Sequence, residues 1–417
     1  MKVAVVGTGI AGLVVARALA REHELTVYEA AEWIGGHTHT LDVPGTDGRA
    51  VAVDTGFIVF NRRTYPRFCA LLAELGLDGQ PSDMSFSVRC ERTGLEYSGS
   101  GWNGLLARRA NALDPRFWRM LLDLVRFYRE APRTLAPPDD GRTLGEFLRQ
   151  GRYSRAFVEQ HLAPMASAVW SAKRADLEDF PLRFLVQFFE NHGFLTVDGR
   201  PQWLVVPGGS RSYVERLVAP FRARIRLATP VARVTRGPDG VLVRTASGAE
   251  ERYERVVLAT HGDQALRLLA DARPREREVL SAFSTQANDV VLHTDARVMP
   301  RRRRAWSSWN YHLAQRPAEL PTVTYWMNRL QGLAGARDWF VTLNRTDELD
   351  PTRVLARFTY RHPLATRASC AAQARHGEID GQAGVHFCGA YWRYGFHEDG
   401  VWSGERVLAR LGAEVPA

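Results

Sequence analysis

The residues best suited to chemistry lie within the first forty positions. "GTGIAG" puts Gly7, Gly9 and Gly12 directly after the apolar run "KVAVV". At that spacing Gly7 permits a tight turn, Gly9 lets backbone approach a pyrophosphate, and Gly12 lets a helix pack closely on a strand. Ile10 and Ala11 then open a helix whose amino terminus faces the phosphate charge. Glu29 follows at the end of a second strand, "LTVYEA", with Ala30 beside it. An acid there accepts from ribose hydroxyls and repels a 2′-phosphate. In a nicotinamide enzyme the motif would stop at this acid. Here "VYEAAEWIGGHTHT" goes on to Gly35, Gly36, His37 and Thr38. FAD extends further beyond its pyrophosphate, with a ribityl chain and a three-ring flavin. A second close backbone approach suits that length, so the expected cofactor is FAD.

The elements that must position these residues are scattered. "KVAVV", a helix over 10–21 and "LTVYEA" make a βαβ start, and "VAVDTGFIVFN" (51–61) reads as strand then turn. Residues 63–204 carry helical periodicity, with an aromatic-rich segment "PLRFLVQFFENHGFL". Residues 224–260 form a strand meander ending in "RVVLAT", and 265–370 are mixed. The chain closes with a strand at "GVHFCG" and a helix over 401–412. The expectation is an α/β protein with two domains. A non-contiguous Rossmann-like FAD-binding domain takes 1–62, 205–262 and 370–417. A mainly helical plus mixed-sheet substrate domain takes 63–204 and 263–369.

The pattern "GxGxxGL…A…L…VxVxEAxxxxGGxxxT" resembles the amino-terminal signature of the flavin-containing amine oxidase, phytoene desaturase and protoporphyrinogen oxidase superfamily. "VHFCGAYWRYGFHEDGVWSGERVLARL" is similar to its second flavin motif, and "VPGGSRSYVERL" and "TPVARV…VVLAT" match its layout. The resemblance implies that Gly7, Gly9 and Gly12 hold pyrophosphate and Glu29 the adenosine ribose. Gly35, Gly36, His37 and Thr38 would follow the pyrophosphate–ribityl stretch, joined by Gly56, Phe57, Ile58 and Thr260. Val231 would offer backbone to adenine. Gly389 and Ala390 would approach the pyrophosphate or ribityl chain, and Gly400 and Val401 would begin a helix aimed at the flavin. Two departures stand out. His37, a shorter and titratable donor, replaces the usual Arg, and Ala390 stands where relatives carry an acid.

Amine oxidases of this superfamily use an aromatic residue before the final glycine and a lysine near the flavin. His397 occupies that aromatic position, and the chain holds only Lys2 and Lys173. "GGHTHT", "FFENHGFL", "RPQWLVVPGGSRSYV" and "FCGAYWRYGFHEDG" look most like bacterial amine-oxidase-like FAD proteins associated with cyclopropane-fatty-acid-synthase-type methyltransferases. That resemblance implies hydride removal from a C–H bond of an apolar, fatty-acyl or phospholipid substrate, unsaturated or methyl-branched, forming a C=C bond. The alternatives are a flavin amine oxidase acting on a small or polyamine substrate, and a non-catalytic flavoprotein partner of a lipid methyltransferase. The candidate catalytic residues are His397, Trp392 and His192: His397 and Trp392 are expected to face the site, and the two histidines could act as acid or base, since imidazole titrates in the useful range.

Composition sets limits. The 55 basic residues include two lysines, so 53 are arginines, and the net charge is +9. This reads either as coding bias or as attraction to anionic lipid or substrate. No aromatic-interleaved basic stripe supports nucleic acid as a partner. "LDPRFWRMLLDLVRFYREAPR" (113–133) is a basic amphipathic helix, either a core helix with a solvated face or one lying on an anionic membrane. "RRRR" (301–304) is a solvated loop or a second headgroup contact. His37 and His39 lack the carboxylate or cysteine spacing of a metal site, and the four cysteines fit no metal or disulfide pattern. No apolar run reaches the roughly 18 residues of a spanning helix. The amino terminus imitates a signal peptide, but its three spaced glycines make it part of the fold. A cytoplasmic protein, with peripheral contact at the inner face of the membrane, is expected.

Overall fold

The computed structural model describes residues 1–413 except 47, 171, 172, 197 and 317. A five-stranded parallel sheet runs in the order Ile225–Arg226, Glu24–Tyr28, Lys2–Val6, Arg255–Leu258, Val385–Phe387. Its inner strands are short apolar runs because a parallel sheet is covered on both faces. One face carries the helices Ile10–Leu19, Pro66–Glu74, Arg211–Val218 and His397–Leu411. The other carries an antiparallel sheet of Val231–Gly237, Gly240–Thr245 and Glu250–Tyr253, with Phe283, Tyr391 and Trp392.

The carboxyl-terminal helix begins at His397, one turn before the expected start at Gly400 and Val401. The reason is local: the Asp399 carboxylate accepts the Phe396 N–H at 2.9 Å, satisfying a donor that a helix start leaves free. Gly400 therefore lies inside the first turn, where it serves packing. A Cβ there would stand 2.6 Å from Ile10 Cγ2, and one on Gly404 2.9 Å from the Ala11 carbonyl oxygen. The helices Ile10–Leu19 and His397–Leu411 thus touch almost backbone to backbone, with their amino termini side by side.

The other body is a seven-stranded mixed sheet, Val354–Pro363, Thr285–His293, Phe340–Leu343, Val323–Trp326, Trp309–Leu313, Phe86–Cys90 and Glu96–Ser98. Its one parallel pairing joins Trp309–Leu313 to Phe86–Cys90. Helices Pro115–Glu130, Leu144–Gln150, Ala163–Trp170 and Leu182–Asn191 share its core. The hairpin Thr40–Pro44/Ala50–Asp54 is tied to the helix Arg211–Val218 through Asp54. That carboxylate accepts the Ser210 N–H at 2.9 Å and the Ser210 and Thr40 hydroxyls, while burial raises its pKa to about 6. No helix among the described residues is long and apolar enough to cross a membrane.

A Gly404→Val substitution drives two methyl groups into the helix contact. It should lower stability by about 3 kcal/mol, read as the urea midpoint, with an unchanged m-value.

Candidate functional site

Three parallel strands deliver their carboxyl ends to one place, where open α/β sheets bind ligands. A Cβ on Gly7 (φ +106°) would lie 2.7 Å from the Ala259 carbonyl oxygen and 3.7 Å from Thr260 Cγ2. One on Gly389 would lie 3.2 Å from the Thr260 carbonyl oxygen. One on Gly12 would lie 2.1 Å from the Gly7 carbonyl oxygen, so this helix needs glycine simply to sit on its strand. Gly9 differs: a Cβ there meets no protein atom within 4 Å. Gly36 stands across from it at φ +60°, its own Cβ position 3.2 Å from Gly9 Cα. The Gly389 N–H donates to Ser403 Oγ at 3.0 Å, tying the last strand to the carboxyl-terminal helix. Ile10, Ala11, Gly35 and Ala390 belong to the same turns.

Glu29 is held rather than free. One carboxylate oxygen accepts the Thr8 N–H at 2.9 Å and the Thr8 hydroxyl, and the other accepts the Ala31 N–H at 2.9 Å. The oxygen that accepts only the Ala31 N–H keeps a lone pair for a further donor. The Thr229 and Ala228 N–H groups donate to the carbonyls of Glu29 and Ala31. That pairing leads the chain beside Ala30 to Val231. A glycine cradle under two helix amino termini, with an acid at its far end, fits the pyrophosphate and ribose of FAD. Gly7, Gly9, Gly36 and Gly389 would hold the former and Glu29 the latter.

Beyond the cradle, Gly56 brings two loops together, its Cβ position 2.1 Å from the His37 carbonyl oxygen. The Phe57 N–H donates to that carbonyl at 2.7 Å, and Ile58 is buried beside it. His37 was expected to be a titratable donor. Instead burial, and the rings of His362 and His261 at 5.5 and 5.8 Å, hold its pKa well below the ordinary value. It is a neutral imidazole with Nε2 buried and unpartnered, free to meet a ligand.

His397 joins this group. Its ring stacks on Phe57 at 3.4 Å, and Nε2 lies 3.0 Å from both Thr38 Oγ1 and Tyr213 Oη. Burial pushes its pKa down to about 3, so it is neutral and a poor base at neutral pH. With the helix starting at His397, this ring packs inward on Phe57, and Phe396 lies just before the helix. Phe396 lines a cavity of about 350 Å³ together with Tyr65, His192, Tyr394, Glu398 and Asp399. Arg63, Arg67 and Arg393 also border it. His192 stacks on Phe188 at 3.8 Å with Nδ1 2.9 Å from the Phe188 carbonyl oxygen, and burial takes its pKa to about 4. Phe184 packs on Tyr394 at 4.7 Å and Phe188 on Phe396 at 4.9 Å.

Trp392, expected to face the site, does not line the cavity. It lies in the core on the sheet's other face, 4.9 Å from Phe283 and 4.6 Å from His376. The residue follows a tight turn at Gly389 that points it away from the cavity. Lys2 pairs with Glu24 and Glu251, and Lys173 with Glu319, so neither ammonium is committed to the cavity. Tyr213, Phe396 and Tyr65 were not anticipated. Tyr213 and Phe396 lie inside quoted motifs, but nothing in their spacing marks them.

Fold and cradle together define a flavin-dinucleotide-binding protein. The model of the flavin-containing amine oxidoreductases matches residues 10–328, and the chain belongs to that family. The cofactor is FAD. A Mycobacterium tuberculosis protein assigned as a flavin-containing monoamine oxidase is 28% identical over 60% of this chain and 54% of its own length. Carotenoid phi-ring synthase of Streptomyces griseus is 30% identical over 65% and 54%. The chain thus spans about half the length of the curated relatives it matches. Cyclohexylamine oxidase from Brevibacterium oxydans has the same fold, with a TM-score of 0.69 at 17% identity over 98% of each chain.

Two measurements check this geometry. Gly9→Val should leave the apoprotein's melting temperature within about 2 °C but abolish FAD retention on a desalting column, since its side chain enters only ligand space. Gly12→Val should lose both. His397 has a lower pKa folded than unfolded, so the unfolded state binds its proton first. It therefore contributes stability that is lost as pH falls from about 6.5 toward 3. His397→Asn should flatten the fall in urea-unfolding free energy between pH 7 and 5 by roughly 1–2 kcal/mol.

Proposed function

We propose that this protein is an FAD-dependent oxidoreductase that removes hydride from a C–H bond of an apolar acyl chain. A proton leaves the neighbouring carbon, and a C=C bond results. The observation that carries this reading is the aromatic side of the cavity: Tyr65, Tyr394 and Phe396 line it, backed by Phe184 and Phe188, while charged and polar side chains, among them Asn191, His192, Glu398 and Asp399, line the rest. FAD supplies the hydride acceptor when bound. The chain's own part is to hold an apolar substrate against these rings and keep water from it. Arg63, Arg67 and Arg393 suit an anionic headgroup at the cavity's border, although Arg67 and Arg393 also face Glu398 and Asp399. Burial raises the Asp399 pKa to about 7, so this carboxyl is partly protonated near neutrality and repels such a group less. The neutral His192 offers a hydrogen bond at the wall.

The Streptomyces relative is named for making a carotenoid ring, which supports an apolar substrate. The Mycobacterium relative favours a second reading, an amine oxidase, against which stands the engagement of both lysines elsewhere. Four unpaired cysteines support a reducing, cytoplasmic setting. The resemblance to proteins associated with lipid methyltransferases makes such an enzyme the natural source of a methyl-branched substrate, or a partner.

The test is anaerobic titration of the purified yellow holoprotein. Phospholipids with unsaturated or methyl-branched chains should bleach the flavin absorbance, and amines should not. Bleaching by amines alone would overturn the acyl reading in favour of an amine oxidase. Bleaching by neither would leave the protein to a non-catalytic role beside a methyltransferase.

A further inference from the structure

Seven large apolar side chains are exposed among the described residues, and five fall between positions 102 and 125. On the helix Pro115–Glu130 they are Trp118, Leu122 and Val125, spaced one turn apart along a single outward face. Leu122 is 68% exposed, and Leu113 just before the helix 87%. The opposite face, with Phe117, Met120 and Phe127, is buried, so the helix is already satisfied as a core element without the outer row. Burying an apolar face is what ordinarily fixes a helix to its domain. This helix has two such faces and the domain covers one.

Charge identifies what covers the other. Residues 102–133 hold seven arginines against three carboxylates. The carboxylates are all consumed: Asp114 caps the helix by accepting the Arg116 N–H, Asp123 is buried against Arg119 and the Ser154 N–H, and Glu130 pairs with Arg126. The second basic run lies close by. Glu96 accepts the Arg301 and Arg302 N–H groups through its carboxylate, while its carbonyl accepts Asn111 Nδ2. One strand thus brackets the arginine turn on one side and the approach to the helix on the other. Trp102, 69% exposed, sits on the short helix Gly101–Leu105 that packs on this turn. The sequence singled out 113–133 and 301–304 separately, and the fold brings them together.

We propose that this surface docks on an anionic lipid bilayer, with Trp118, Leu122 and Leu113 entering the headgroup–acyl boundary and arginines meeting lipid phosphates. Apolar burial and attraction to a negative leaflet act together there, and each is too weak alone for stable binding. Docking stands independently of the proposed acyl chemistry. An enzyme with a water-soluble substrate could dock just as well.

The experiment is sedimentation of the full-length holoprotein with vesicles of phosphatidylcholine containing 30% phosphatidylglycerol, and with phosphatidylcholine alone, at about 50 mM and 500 mM salt. Binding is expected to the anionic vesicles at low salt, with at least a tenfold loss at high salt or without phosphatidylglycerol. Trp118→Ala/Leu122→Ala and Arg116→Gln/Arg129→Gln should each weaken binding about tenfold, with flavin content and melting temperature unchanged. No binding to anionic vesicles would overturn the proposal. So would equal binding by both double variants, or a concentration-dependent dimer abolished by Trp118→Ala/Leu122→Ala in a protein that ignores vesicles.

Discussion

The helices Ile10–Leu19 and His397–Leu411, far apart in sequence, lie in contact because the second carries glycine where a side chain would strike the first. Gly400 and Gly404 meet Ile10 and Ala11, Gly12 meets the Gly7 carbonyl, and Gly36 meets Gly9. Every other feature of the cofactor cradle depends on this absence of side chains. Helices normally pack 8–10 Å apart, and only small residues let them come nearer. Here that closeness sets two positive helix ends side by side, where a pyrophosphate's charge can use both. Glu29 and Asp54, each holding a turn from a distant segment, fix the walls around that point.

Electrostatics further along follow from burial more than from charge. His37, His362 and His397 all have depressed pKa values because water is excluded around them. The region beyond the cradle therefore holds neutral imidazoles, with Thr38 and Tyr213 beside His397. Arg63, Arg67 and Arg393 line the neighbouring cavity, and Arg236 and Arg345 are buried in ion pairs elsewhere.

The cradle was legible in the sequence because each of its glycines answers to a backbone constraint at fixed spacing. Four of the five parallel strands were legible as short apolar runs placed after turns, but the two-residue edge strand Ile225–Arg226 was not. The start of the last helix was not, since Asp399 accepting the Phe396 N–H is a capping contact that reads like any acidic first turn. One turn's difference then decided which ring, His397 or Phe396, faces the cavity. Trp392 misled for a related reason: three aromatics in "AYWRYGF" point in different directions, and only the turn after Gly389 sorts them. Tyr213 comes from a helix 175 residues away from its partner Thr38, a separation no local pattern reports.

The order of the parallel strands has a consequence for how the protein comes into being. The edge strand Val385–Phe387 and the helix His397–Leu411 complete a site whose first wall is built by residues 2–19. During synthesis the first βαβ unit leaves the ribosome with one side of its helix bare, and its covering helix follows almost 380 residues later. At 5–20 residues per second that interval is on the order of tens of seconds. Through that time the apolar face of Ile10–Leu19 must be shielded by the intervening segments or by a chaperone. Cofactor capture has to wait for that helix, whose amino terminus stands beside the first at the cradle.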